Sequence, residues 1–472
     1  MSSQSQKLPS ARGLGLKRRA SRKLKVATKV SPLVELPIEL LEEIIAYLDW
    51  TSVLQLRQVC ISLHTVYKDR IIWTSLLNIY NNSLPNPPRL DGPHYAYTPG
   101  QLEKHLLRRL STKKAWGSLS PYTRTAECHM KAHLFHLLPG GRWLLTAQRS
   151  GEVTIYDLDS RAVSGTLIIP ADPALVEVRH MAVEVDRKSD FLSFRLVLCP
   201  DLQQAVSVPI YQVAFSINPA ISWNCRELRR LTATNAGAPT SISIKGDVIA
   251  ISIRKAVKKD LEGDFVQVFN WQKWDPSTIT PQVLIPMDVY DGPLLRVNLL
   301  SESEIISFTR DTISLHDIPL VDGDGEAGQL PVWSVAAPFD IDGEGISQPS
   351  LCGDNTHFTL RVDSSVYGFA ISELRATPGT FRELFKFPFL LYEDILCLGH
   401  HRAFARTSNL DAVTIEFTCD GDSVGVAQVP RNGTKVTWCP LDTCMDEESG
   451  RVVVCMRGQF TIYDFVYPHY VL

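Results

Sequence analysis

Between residues 36 and 73 apolar positions recur at helical spacing in three short bursts, and beyond about residue 118 the period falls to two. The first burst holds Leu40, Leu41, Ile44, Ile45 and Leu48, at i, i+1, i+4, i+5 and i+8, which predicts one apolar helical stripe. Leu36-Pro37 starts that helix: a proline at the first helical position forfeits no hydrogen bond, and its φ is already helical. Glu39, Glu42 and Glu43 follow in the first two turns, where negative charge meets the positive end of the helix dipole. Asp49 predicts an N-cap for a second helix with apolar positions Val53, Leu54, Leu56 and Val59. A third carries Leu63, Val66 and Tyr67, and Trp73 closes the unit. So short a unit cannot bury its own apolar surface, which points to another protein covering part of it.

The stretch resembles the F-box, the module by which substrate receptors dock onto the Skp-family adaptor of cullin-RING (SCF) ubiquitin ligases. The family pattern is Leu-Pro-x-Glu-(Leu/Ile)-x-x-x-Ile-x-x-x-Leu, a polar turn, Leu, Val-Cys or Val-Ser, and a closing Trp. Leu36, Pro37, Glu39, Leu40, Ile44, Leu48, Leu54, Val59, Cys60 and Trp73 occupy those places. Trp50 replaces a usual Pro and Leu63 a frequent Trp, both keeping the position apolar. The resemblance implies that Leu36, Pro37, Leu40, Leu41, Ile44, Leu48, Leu54, Val59 and Trp73 bind the adaptor. The plain alternative is a three-helix piece of a larger core. Cys60 reads as a small buried hydrophobe rather than a nucleophile.

After Trp73 the pattern predicts a continuing helix to about Tyr80, then a segment whose Asn, Pro and Gly content forbids regular structure. Thr98-Pro99-Gly100-Gln101 is a capping-box start for a helix through Leu102, Leu106 and Leu110 towards Trp116. Fungal F-box proteins are similar in carrying a Thr-Pro-x-x-Leu helix after the box, which implies a spacer between adaptor and receptor domain.

Short β-rich runs fill the rest, and one recurs. Gly151-Glu152-Val153-Thr154-Ile155-Tyr156-Asp157-Leu158 is repeated as Gly458-Gln459-Phe460-Thr461-Ile462-Tyr463-Asp464-Phe465, with five of eight residues identical. Weaker copies run Val266–Trp271 and Ile313–Ile318, and comparable strand ends fall near Val213, Tyr367 and Ile415. Such spacing fits one four-stranded blade per repeat of about 40–50 residues. The C-terminal part resembles a divergent, seven-bladed WD-repeat-type β-propeller without the usual Gly-His and Trp-Asp dipeptides. A pair of β-sandwiches accounts for the spacing less well.

The expected fold is therefore multidomain: a basic tail (residues 1–33), an all-α F-box (34–78), a linker with one helix (79–117) and an all-β propeller (118–472).

Charge sharpens this division. The chain of 472 residues carries a net charge of −3, but residues 1–34 hold nine Lys or Arg and no acid. The remainder carries a net −12, which argues against non-specific nucleic-acid binding by the main domain. Lys17-Arg18-Arg19 and Arg22-Lys23-x-Lys25 read either as a nuclear-import patch or as a solvated basic arm. Arg18-Arg19-Ala20-Ser21 looks like a basophilic kinase site. The ten cysteines form no paired framework and no apolar run spans a membrane, so the expected compartment is cytoplasm or nucleus with reduced thiols. On that expectation the sequons at Asn81 and Asn432 are chance matches.

No phosphate-binding loop, nucleophile elbow or metalloprotease motif occurs. Cys128, His129, His133 and His136 come nearest to a metal site, but on a strand they point to opposite faces. Cys439 and Cys444 lack a second pair, and Asp322–Glu326 lacks the Gly and bidentate Glu of a calcium loop. Neither a cofactor nor an enzyme activity is expected. Three functions are compatible with these features: a substrate receptor of an SCF ligase, an F-box scaffold acting outside ubiquitin transfer, and a propeller enzyme. The first is preferred, its partners being a Skp-family adaptor, through it a cullin-RING ligase, and a target protein of unknown identity.

Overall fold

Capping fixes the first elements. In a computed structural model of the chain, α1 (Ile38–Ala46) follows Pro37, and α2 (Trp50–Leu56) is capped by Asp49, which accepts from the backbone N–H of Thr51 at 2.8 Å and of Ser52 at 3.0 Å. α3 (Ile61–Val66) follows Cys60, and α1 packs on α3. The structure describes residues 32–82, 84, 90–116, 121–175, 177–201, 206–217, 221–233, 237–255, 264–273, 283–287, 293–318, 331–341, 345–352, 355–362, 365–372, 377–386, 395–406, 412–417, 424–428, 442–456 and 458–466. The basic tail with Ser21, the Asp322–Glu326 loop, Asn432 and Cys439 lie outside the described residues.

The chain divides into two compact units, residues 1–67 and 68–472. In the smaller one Leu41, Ile45, Val53, Leu63, Val66 and Tyr67 are buried. The larger one opens with α4 (Arg70–Asn82) and α5 (Pro99–Ala115), which pack on each other. Division by compactness thus falls inside the 34–78 segment read from sequence and puts Trp73, at the start of α4, in the larger unit. The capping box forms as the sequence predicts: Thr98 Oγ1 accepts from Gln101 N–H at 3.3 Å, and Gln101 Oε1 accepts from Thr98 N–H at 2.8 Å.

Seven four-stranded antiparallel sheets follow. β1 (Tyr122–Glu127) comes first in the chain but is the outer strand of the last blade. Blade 1 comprises β2 (Ala132–Leu137), β3 (Trp143–Gln148), β4 (Val153–Asp157) and β5 (Gly165–Ile169). Blade 2 comprises β6 (Val178–Val185), β7 (Ser193–Pro200), β8 (Val206–Ser216) and β9 (Ser222–Ala233). Blade 3 runs β10 (Gly237–Lys245), β11 (Val248–Lys255), β12 (Phe265–Asn270), β13 (Val283–Pro286). Blade 4 runs β14 (Leu294–Ser301), β15 (Glu304–Thr309), β16 (Thr312–Asp317), β17 (Trp333–Ala336). Blade 5 runs β18 (Ser350–Cys352), β19 (Asn355–Val362), β20 (Ser365–Ser372), β21 (Thr380–Lys386). Blade 6 runs β22 (Ile395–Leu398), β23 (Arg402–Arg406), β24 (Ala412–Phe417), β25 (Val424–Gln428). Blade 7 is β26 (Asp442–Asp446), β27 (Arg451–Met456), β28 (Gln459–Asp464) and β1, paired in register from Tyr122 opposite Asp464 to Glu127 opposite Gln459.

The first strands of neighbouring blades touch at β2–β6, β6–β10, β10–β14, β22–β26 and β26–β2, and apolar layers join blade 4 to 5 and blade 5 to 6, which closes a ring. Separate apolar layers fill the junctions between blades. Val153 and Ile155 of β4 meet Phe194 and Val213 of blade 2, whereas Tyr156 meets Phe460 and Ile462 of blade 7. Both faces of a blade are therefore covered, so alternation along a strand separates one junction from the next rather than core from water. The seven repeats read from sequence are the third strands of the seven blades: β4, β8, β12, β16, β20, β24 and β28. Gly151 and Gly458, the glycines that open the repeated octapeptide, both adopt φ +79°, a turn conformation that a side chain disfavours.

Candidate functional site

Two helical features bear on function: the surface of α1–α3, and the mounting of α4 and α5 on the propeller. They belong to different units.

In the smaller unit the stripe of α1 splits into two. Leu41 and Ile45, four residues apart, are buried, while Leu40, Ile44 and Tyr47 share the exposed side with Ile38. Tyr47 is 84% exposed, and Val59 and Ile61, at the turn between α2 and α3, are 69% and 85% exposed. Of the residues singled out for adaptor binding, Leu40, Ile44 and Val59 stay exposed, as does Pro37; Leu36, Leu48 and Leu54 are half-buried. Leu41 is interior to the small unit, and Trp73 is buried in the large one at 1% exposure. These two serve packing as the chain stands, because an i, i+4 pair on α1 must line the small core and Trp73 lies on the inward face of α4. Tyr47 and Ile61, exposed and apolar, have no place in the F-box pattern, and their apolar neighbours in sequence gave no signal that they would face water. Hydrogen bonds from Thr51 and Ser52 hold the Asp49 carboxyl below the usual carboxylate range.

In the larger unit α5 is more than a spacer. Leu102, Leu106 and Leu107 are buried, and Arg108 reaches two blades at once: Nη1 donates to Asp159 Oδ1 of blade 1 at 2.9 Å, and Nη2 to Asp464 Oδ1 of blade 7 at 2.8 Å. Arg451 donates from Nε to Asp464 Oδ1 at 2.6 Å and from Nη1 to Asp159 Oδ1 at 2.9 Å. Arg124 of β1 adds a donor to Asp464 Oδ2 at 3.2 Å. Three guanidiniums thus share two carboxylates, the buried Asp464 and the half-buried Asp159. Burial alone would push Asp159 and Asp464 up, but Arg108 and Arg451 overcome it and hold both below the usual carboxylate range.

The far end of α5 is anchored equally. Trp116 packs against Phe465 with ring centroids 4.4 Å apart and the rings tilted by 53°, donates from its indole N–H to Ile415 O at 3.2 Å, and accepts at its backbone carbonyl from Thr414 Oγ1 at 3.0 Å. Gly450, at φ +66°, lies where an added Cβ would come within 2.6 Å of Thr112 on α5, so only glycine allows this approach. α4 is fixed through Tyr80, whose hydroxyl donates to Glu448 Oε2 at 2.9 Å. Burial, with a smaller push from the neighbouring acids, raises Glu448 above the usual carboxylate range. Nothing in the sequence marked Arg108, Asp159, Glu448 or Arg451 as anchoring residues, since their contacts join positions up to 368 residues apart in the chain.

The histidines and cysteines read as a metal-site candidate do not converge. His133 Nε2 bonds Val178 O at 2.8 Å, His136 is pushed down to about 4 by burial, and Cys128 and Cys455 share the apolar layer between blades 7 and 1. Among the described residues no group of three or more His, Cys, Asp or Glu could hold a metal ion.

Comparison with known proteins adds one family. The F-box-like model matches residues 33–78, which are α1–α3 and most of α4. No curated protein matches the chain. Solved structures similar to it include a chain of the mitotic checkpoint complex, at 10% identity, TM-score 0.42, covering 73% of this chain and 91% of that one. Another is the β-propeller domain of Myceliophteria thermophila Cps50 (Swd1), at 12% identity, TM-score 0.46, covering 72% and 98%. The chain carries an F-box-like segment at residues 33–78, followed by a seven-bladed β-propeller.

Proposed function

We propose that this protein is a substrate receptor of an SCF-type cullin-RING ubiquitin ligase, its F-box-like segment docking on a Skp-family adaptor and its propeller binding the target. F-box domains in general bind such adaptors, and propellers bind protein partners. The observation that carries the reading is the set of apolar side chains left exposed on the matched segment, Leu40, Ile44, Tyr47, Val59 and Ile61. A covering partner would remove this surface from water, at about 25 cal/mol for each Å² buried.

In this reading the chain makes and breaks no bond. The ubiquitin-charged enzyme held by the ligase does the chemistry, and the receptor raises the effective concentration of target lysines beside the thioester. α4 and α5, fixed to the propeller by Tyr80, Arg108 and Trp116, support it by giving the propeller a stiff lead-in. The same reading puts the protein in the cytoplasm or nucleus, which a fluorescent fusion tests.

The experiment is reconstitution of the full chain with the adaptor, cullin and RING subunits, followed by ubiquitylation of whatever target co-purifies from cells. Modification that requires the full chain supports the receptor. A stable adaptor complex that never ubiquitylates the target favours a scaffold instead.

A further inference from the structure

A cavity of about 570 Å³ opens between the start of α5 and the first blade. Its walls include Thr98, Gly100, Gln101, Lys104 and His105 of α5, with Asp91, Arg142, Asp157 and Asp159 opposite. That volume falls in the usual range for small-molecule sites, about 300–1,000 Å³.

The acids facing it are already covered. Asp91 accepts from Arg142 Nη1 at 2.6 Å and from Trp143 Nε1 at 2.9 Å. Asp157 accepts from Arg142 Nε at 3.0 Å and Nη2 at 2.7 Å, and Asp159 is held by Arg108 and Arg451. The groups left over favour an anion. Among the described residues Lys104 has no ion pair, and His105 Nε2 is shielded from solvent without a hydrogen-bond partner. Gly100 sits in the first turn of a 17-residue helix, where its N–H has no intrahelical acceptor, and a Cβ built there would meet nothing within 4 Å. An exposed helix start on the cavity's wall, a free ammonium one turn on and an unsatisfied imidazole together suit phosphate oxygens.

We propose that this cavity binds the phosphate group of a small phosphorylated molecule, with Lys104 and the Gly100 N–H on the phosphate and the remaining volume taken by the organic part. The proposal stands independently of the ligase reading. The site joins α5 to blade 1, so occupancy would brace the helical lead-in against the ring. It also predicts proton uptake: burial and the neighbouring Arg109 and Arg108 keep His105 neutral, with Asp159 and Arg142 the other charges bearing on it. An arriving dianion reverses that balance.

Titration calorimetry on the full chain tests this with glucose 6-phosphate, inorganic phosphate and glucose. Both phosphates should bind and glucose should not, and at pH 8, where the ligand is a dianion, the heats should depend on buffer ionisation. Lys104→Gln should weaken binding about tenfold or more, and Lys104→Arg should retain it, with the unfolding transition of both unchanged. No binding of either phosphate up to about 10 mM, equal binding of glucose, or unchanged affinity in Lys104→Gln would overturn the proposal.

Discussion

Arg108 and Asp464 stand 356 residues apart in sequence and 2.8 Å apart in the fold, a guanidinium from the helix that precedes the ring against a carboxylate that ends its last blade. Asp464 is 1% exposed and serves three cations, so its loss would strand Arg108, Arg451 and Arg124 without their common acceptor. Removing one partner of a buried pair costs about 3–5 kcal/mol, since the remaining charge stays out of water. Asp464→Ala should lower the unfolding free energy by about that much in urea titrations. Arg124→Gln, at the more open edge, should cost roughly half or less.

Acid should destabilise the fold through its buried histidines. Burial lowers His105, His133, His136, His180, His316 and His400 below the ordinary histidine range, His136 and His316 to about 4. The folded state then binds fewer protons than the unfolded one, so this stability is complete above about pH 6.5 and is lost as pH falls towards the folded values. Each such histidine contributes up to about 1.4 kcal/mol per pH unit in that window. Thermal transitions measured from pH 7.5 to 5 should fall steeply below pH 6.5; a flat profile to pH 5 contradicts the burial of these rings.

The junctions between blades make a sharper test. Ile155 and Ile462 are equivalent third-strand residues at 1% and 0% exposure, each within an apolar layer. Aspartate at either position should cost several kcal/mol and give insoluble or unfolded propeller. Thr461 is itself buried on the opposite face, at 7%, so Thr461→Asp should be damaging too, and only Thr154→Asp, at a half-buried site, is expected to be mild. Circular dichroism and urea titration read all four.

What the sequence disclosed and what it hid follow from the range of the interactions. The Asp49 cap, the Thr98–Gln101 capping box and the seven third strands were legible because each is set by neighbours within a few residues. The repeat's shared Tyr-Asp ending was visible as pattern, but its chemistry was not. Asp157 pairs with Arg142 from its own blade, while Asp464 pairs with Arg451 and with a helix beyond the ring. Exposure on α1 was equally hidden. Spacing puts Leu40, Leu41, Ile44 and Ile45 on one stripe, and only the packed fold decides which pair turns inward. The burial of Thr461 was hidden for the same reason: Tyr463 and Phe465, on the same face of β28, pack in one layer with Phe404 of blade 6.

Ring closure predicts where the chain tolerates truncation. β1 is the outer strand of blade 7, so a chain beginning at residue 131 would leave β28 unpaired along one edge. It should aggregate, whereas a chain beginning at residue 68 keeps α4, α5 and β1 and should fold cooperatively. Size-exclusion chromatography of the two would separate monomer from aggregate; equal behaviour would mean that β1 does not close the ring.

The most direct test of the account is adaptor capture by surface variants of the F-box-like segment. Leu40→Asp with Ile44→Asp changes two exposed side chains, so the full chain should keep its thermal transition. Leu41→Asp, at 5% exposure, should unfold the small unit and serves as the contrast. The account predicts that wild-type protein co-purifies stoichiometrically with a Skp-family adaptor and that the folded Leu40/Ile44 double variant loses it. Undiminished capture by that variant, or no capture by the wild type, would contradict it.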